Sequence, residues 1–146
     1  MIVEASTIEV EDFATPGGRG LNTVAWVLQV FLALVFLLHG LLFTVGFEVM
    51  ARRMRGRSRT ASPLHPTFRQ FIGVAEIAAA IGLIVPPAIR VLPWLAPLAA
   101  AGLAIIMAGA AVRHARRSES REVVGTVVLG LLAAATLWLR WQVVPL

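Results

Sequence analysis

No cysteine occurs among the 146 residues, which removes disulfides, thiol redox chemistry and thiolate metal ligation whatever compartment the chain occupies. Any redox role would need a borrowed cofactor. Lysine is absent as well: all 13 basic residues are arginine, a bias expected of a GC-rich genome. Charge of either sign is scarce. At 14% of the chain it falls well below the roughly 25% of a soluble globular domain, while 58% of residues are hydrophobic. This excludes a soluble domain. The net charge of +5 is therefore a topology signal, because the arginines cluster beside apolar stretches, and no nucleic-acid partner is expected.

The sequence is dominated by four apolar stretches, at about residues 22–47, 68–86, 92–112 and 123–140. A bilayer crossing takes about 20 mostly apolar residues, so the spacing predicts an all-α transmembrane four-helix bundle. That bundle, residues 21–146, forms a single domain behind a polar tail, residues 1–20, which is acidic through Glu4, Glu9, Glu11 and Asp12. The tail lacks the basic and apolar regions of a signal peptide and is expected to be retained. Between the first two stretches lie Arg52, Arg53, Arg55, Arg57, Arg59 and Arg69, and between the last two Arg113, Arg116, Arg117 and Arg121. The opposite side has Arg19, Arg90 and Arg140, and ten arginines against three place both termini outside.

Within this hydrocarbon-like sequence, Glu76 is the residue that demands an explanation. A carboxyl at bilayer depth is costly, so it faces the bundle interior, finds a partner or binds protons. His39 lies eight residues before the end of the first stretch and Glu76 eight after the start of the second. At a rise of 1.5 Å per residue both sit about 12 Å from the same interface, on neighbouring antiparallel helices. They are candidates for an acid/base pair, or for mutual structural partners that satisfy each other's polarity. Gln29, Gly73 and Thr44 are the accompanying ligand-binding candidates, although Gln29 equally suits a bond across the bundle and Thr44 a bond to its own helix. Glu48 is expected to pair with loop arginines, and His65 and His114 to be solvated or to meet lipid headgroups. Two ligands are too few to hold a metal, and none is expected. Pro86 and Pro87 are expected to stop the second helix, and Pro93 and Pro97 to fall in the first turns of the third.

Three motifs then carry a family resemblance. They are FLLHGLLF, with His39-Gly40; FRQFIGVAEIAAAIGLIVP, with Gly73, Glu76 and Gly82; and LAIIMAGAAVRHARRSE, with Met107, Ala110 and His114. Together they resemble the DoxX-like membrane proteins over about residues 22–140. The resemblance implies a multi-pass protein of the bacterial cytoplasmic membrane. It also implies an association with quinone-linked oxidoreductase systems, in which such proteins act as small or accessory subunits. A bound quinone is then the implied cofactor, and a soluble oxidoreductase docked at the arginine loops the implied partner. A second reading is a cofactor-independent isomerase, cyclase or epoxide-opening enzyme acting on a lipophilic substrate, with Glu76 and His39 as acid and base. A third is a small proton-coupled transporter. That reading requires a homo-oligomer, because four short spans do not make an alternating path alone. These residues leave open whether the protein is an enzyme.

Overall fold

The computed structural model describes residues 16–46 and 65–146; the acidic residues of the tail and Glu48 lie outside them. Helix α1 spans Pro16–Leu41 and runs on through a π-helical turn, Leu42–Gly46. Helix α2 spans Pro66–Ile89, α3 Leu95–Arg116 and α4 Ser120–Trp138, the last continued by a second π-helical turn, Leu139–Val143. All four are long and apolar enough to cross a membrane, with mean hydropathies of 1.9 to 2.3. In hydrocarbon every backbone N–H and C=O must be satisfied within the segment, which the helix does. The large residues left on the outside, among them Phe31, Leu34, Leu38, Leu98 and Leu131, are suited to lipid.

The helices run up, down, up and down, each packed on the next, and α4 returns to α1. Two faces result. One carries the α1–α2 connection and the α3–α4 turn and is called here the basic-loop face; the other carries the start of α1, the α2–α3 turn and the end of α4, and is called the terminal face. The central core is built from Leu32, Ala33 and Phe36 of α1, Ala80 and Leu83 of α2, Ala100, Leu103 and Met107 of α3, and Ala133 of α4. A smaller cluster of Ala25, Leu139 and Val144 closes the terminal face.

Helices α1 and α2 cross closely at Gly40 and Gly73. A Cβ built on Gly40 would fall 2.6 Å from the carbonyl oxygen of Gly73, and one built on Gly73 would fall 2.9 Å from the carbonyl oxygen of Gly40. Only hydrogen fits there, and the two backbones lie almost against each other, as small residues permit in lipid. This crossing lies one residue from His39 and one helical turn from Glu76.

Pro86 and Pro87 do not stop α2, which continues to Ile89. A proline in a helix removes the bond to the carbonyl four residues back. For Pro87 that carbonyl belongs to Leu83, and it is taken up instead by the side-chain amide of Gln29 on α1. The helix ends two residues later in a Schellman turn. Arg90 adopts the left-handed conformation (φ 56°), its N–H meets the carbonyl of Pro87, and the N–H of Val91 meets that of Pro86. Pro93 precedes α3, in the turn, and Pro97 lies in its first turn, where an N–H has no helical partner to lose.

Candidate functional site

Towards the basic-loop face the four helices surround a cavity of about 440 Å³. Its wall is largely hydrocarbon and aromatic: Phe36 and Phe43 from α1 and its extension, Phe68, Phe71 and Ile72 from α2, Ile105, Ile106 and Met107 from α3, and Leu129 from α4. Its volume lies within the range of pockets that hold drug-sized molecules. The polar members of the wall are few, and Glu76 and His39 are among them.

Glu76 is fully buried and His39 is about 44% exposed. The His39 Nδ1 and Glu76 Oε2 atoms lie 2.6 Å apart, joining α1 to α2 beside the glycine crossing. The second carboxyl oxygen, Oε1, is buried and has no hydrogen-bond partner among the described residues. Leaving such an atom unmet costs on the order of 1–3 kcal/mol. The His39 ring also packs at 4.4 Å on Phe43, whose backbone belongs to the π-helical turn. A π turn withholds carbonyls from the usual ladder, and the Phe43 carbonyl accepts a long bond, 3.4 Å, from Arg69 Nε on α2.

The dyad can change its hydrogen-bonding character with the movement of one proton. With the proton on Glu76, the carboxyl donates to Nδ1, and Nε2–H is the ring's outward donor. With the proton on Nδ1, the carboxylate accepts it, and Nε2 is an outward acceptor. The pair can therefore meet either a carbonyl oxygen or a hydroxyl in the cavity.

At the basic-loop face the cavity is rimmed by Arg113 and His114. His114, expected to be solvated or to meet lipid headgroups, is instead half-buried in the last turn of α3, which continues past it to Arg116. Its Nδ1 lies 2.6 Å from Glu119 Oε2, and Arg117 Nε meets the other oxygen of Glu119 at 3.1 Å. The hydrogen bond from His114 holds the Glu119 carboxyl below its ordinary range, and the charges of Arg117, His114 and Arg113 act in the same direction. The signal that could have exposed His114 is its spacing: Met107, Ala110 and His114 recur at three and four residues, one helical face.

The remaining sequence candidates lie elsewhere, and none of them lines this cavity. Gly73 forms the backbone crossing, and Thr44 donates to the carbonyls of Gly40 and Leu41. Gln29 is fully buried nearer the terminal face. Its amide N–H donates to Leu83 and its carbonyl accepts from Arg140 Nε. Arg140 is 2% exposed, donates through Nη1 to Asn22 Oδ1 at 2.7 Å and to the Val144 carbonyl at 3.3 Å, and lies 5.2 Å over the ring of Trp26. Among the described residues there is no group of three or more His, Cys, Asp or Glu side chains placed to share a metal ion.

Comparison with known proteins bears on this arrangement. The family model described as the DoxX-like family matches residues 27–136, which contain the dyad, the glycine crossing and the cavity wall. The chain belongs to that family and is a multi-pass membrane protein. No curated protein and no solved structure matches it.

Proposed function

Taking membership of the DoxX-like family as the premise, we propose that the protein binds a lipophilic molecule with a compact hydrogen-bonding head in the cavity beside Glu76. We further propose that it serves a membrane oxidoreductase system as an accessory, quinone-associated subunit. The observation that carries the reading is Glu76 Oε1, a buried acceptor with no partner among the described residues, in a carboxyl whose other oxygen is held by His39. A carboxyl with one unmatched oxygen, in a side chain that lines an apolar cavity, favours a ligand group that matches it.

A quinone in its reduced, quinol form fits this set, because its hydroxyl can donate to the carboxyl acceptor. Its ring would lie among Phe36, Phe43, Phe71 and Met107, and His39 Nε2 would meet one of its oxygens. When bound, a quinone supplies two-electron redox chemistry, which this cysteine-free chain does not have. His39 and Glu76 would orient its head and hold a proton beside it, and the aromatic wall would exclude water. In this proposal both termini face outside, the arginine loops face the cytoplasm of a bacterial cell, and those loops receive a soluble oxidoreductase. The test is native mass spectrometry of the protein purified in mild detergent, beside Glu76→Gln. A lipophile that leaves with the mutation supports the reading. An empty wild-type protein whose mutant is merely less stable would sink it.

The same dyad favours a second reading, because a histidine and a carboxyl at 2.6 Å beside a largely apolar cavity are the parts of a proton-transfer site. Here Glu76 removes or delivers a proton on a lipophilic substrate, and His39 orients it and carries the second proton, as isomerisation, cyclisation or epoxide opening requires. Undiminished turnover by Glu76→Gln would refute this reading and leave the first standing.

A further inference from the structure

The terminal face holds a second cavity, of about 450 Å³, whose wall includes Asn22, Trp26, Pro87 and Arg90. Immediately behind that wall lies Arg140. Asn22 and Trp26 belong to both: each touches Arg140 and each lines the cavity. Among the described residues the partners of the guanidinium are uncharged, namely Gln29 Oε1, Asn22 Oδ1, the Val144 carbonyl and the face of Trp26. Its Nη2 is buried and has no partner among the described residues. Among the described residues neither Arg140 nor Arg90 forms an ion pair. A cation so deeply buried at the end of a membrane helix is costly unless an opposite charge comes near it.

We propose that this cavity is a binding site for a phosphate group. Arg90, exposed at the end of α2, supplies the direct charge-assisted donor. Asn22 supplies a second. Its carbonyl oxygen is committed to Arg140, so its amide nitrogen is the end left for a ligand, and the guanidinium polarises that amide and strengthens it as a donor. Arg140 supplies the field, in surroundings of low dielectric where one charge is felt through a single layer of side chains. The cavity wall also includes Pro145 and Leu146, and the phosphate supplies the anionic partner that neither arginine has in an ion pair among the described residues. The same chemistry is offered by free phosphate and by the phosphodiester of an anionic lipid, which meets the terminal face at headgroup level.

The test uses the full chain in an uncharged detergent at constant ionic strength, with chloride as the balancing anion. Its thermal midpoint is followed against inorganic phosphate in one arm and against phosphatidylglycerol in mixed micelles with phosphatidylcholine in the other. A saturable rise of roughly 5 °C is expected in at least one arm. A rise with phosphate identifies a soluble ligand, and a rise confined to the lipid arm identifies a headgroup site. Arg90→Gln, which touches no buried bond, should weaken the apparent affinity roughly tenfold in the responding arm. Arg140→Lys keeps the charge and should keep part of the response even where it lowers the starting stability. The proposal fails if neither arm shifts the midpoint, or if Arg90→Gln responds like the wild type.

Discussion

Both halves of the bundle bury charge-bearing side chains beside a π-helical turn, yet the two clusters are built to opposite ends. Near the terminal face, Arg140, Gln29 and Asn22 tie α4 to α1 and, through the Leu83 carbonyl, to α2. Three of the four helices are braced by one continuous set of bonds. Near the basic-loop face, His39 and Glu76 join only α1 and α2, and they front a cavity into which a carboxyl oxygen brings no bond of its own. The difference teaches that burial of polarity in a membrane bundle has two uses, which are separable by asking how many helices the bonds span.

Substitutions should divide along the same line. The largest effect is expected where both clusters depend on helix approach. Gly40→Val puts side-chain carbon against the Gly73 carbonyl, and it should cost about 3 kcal/mol and separate His39 from Glu76. Unfolding in mixed micelles would read the first, and loss of any copurifying ligand the second. Next comes the brace. Arg140→Met leaves Gln29 and Asn22 without their donor and should cost about 2 kcal/mol, bonds within a bilayer being worth less than their burial suggests. Gln29→Leu should cost a similar amount, and the double variant less than the sum, because the two share one network.

The double variant His39→Leu with Glu76→Leu is the sharpest test of the contrast. Removing both partners of a buried pair in favour of apolar groups should leave stability within about 1 kcal/mol of the wild type, or raise it, while abolishing ligand retention. If this variant unfolds as readily as Arg140→Met, the dyad is a brace too and the contrast is broken. The smallest effect concerns the α3–α4 turn. Glu119 titrates below the ordinary carboxylate range because His114 bonds it, so its contribution to stability is present above about pH 4.3 and is lost as pH falls through its lower folded value. Glu119→Gln should lack this acid phase in a pH series of melting curves and otherwise differ little.

Much of the dyad was legible from residue spacing alone, because helical rise converts sequence distance into depth and two antiparallel neighbours must match depths. The four spans were legible for a similar reason: composition and length suffice when the solvent is hydrocarbon. The brace was not. Arg140 reads as an interfacial residue between Trp138 and Trp141, and its partner Gln29 lies 111 residues earlier, a pairing set by which helices become neighbours and not by any local pattern. The prolines misled for a related reason. A local rule ends the helix where an N–H is missing, and the structure supplies the lost bond from another helix. His114 was hidden by the arginines around it, which suggest a solvated loop where the helix in fact continues to Arg116.

The bond between Gln29 and the Leu83 carbonyl has a consequence for biogenesis. An α2 released alone into lipid would carry an unmet carbonyl at its proline pair, and an α1 released alone would carry a bare amide. Each corrects the other's defect, so the pair is expected to leave the insertion machinery as a hairpin, with α1 retained until α2 has emerged. Arg140, the last polar residue of the brace to be synthesised, then closes onto a hairpin already in place, so that α4 locks the order in which the chain was threaded.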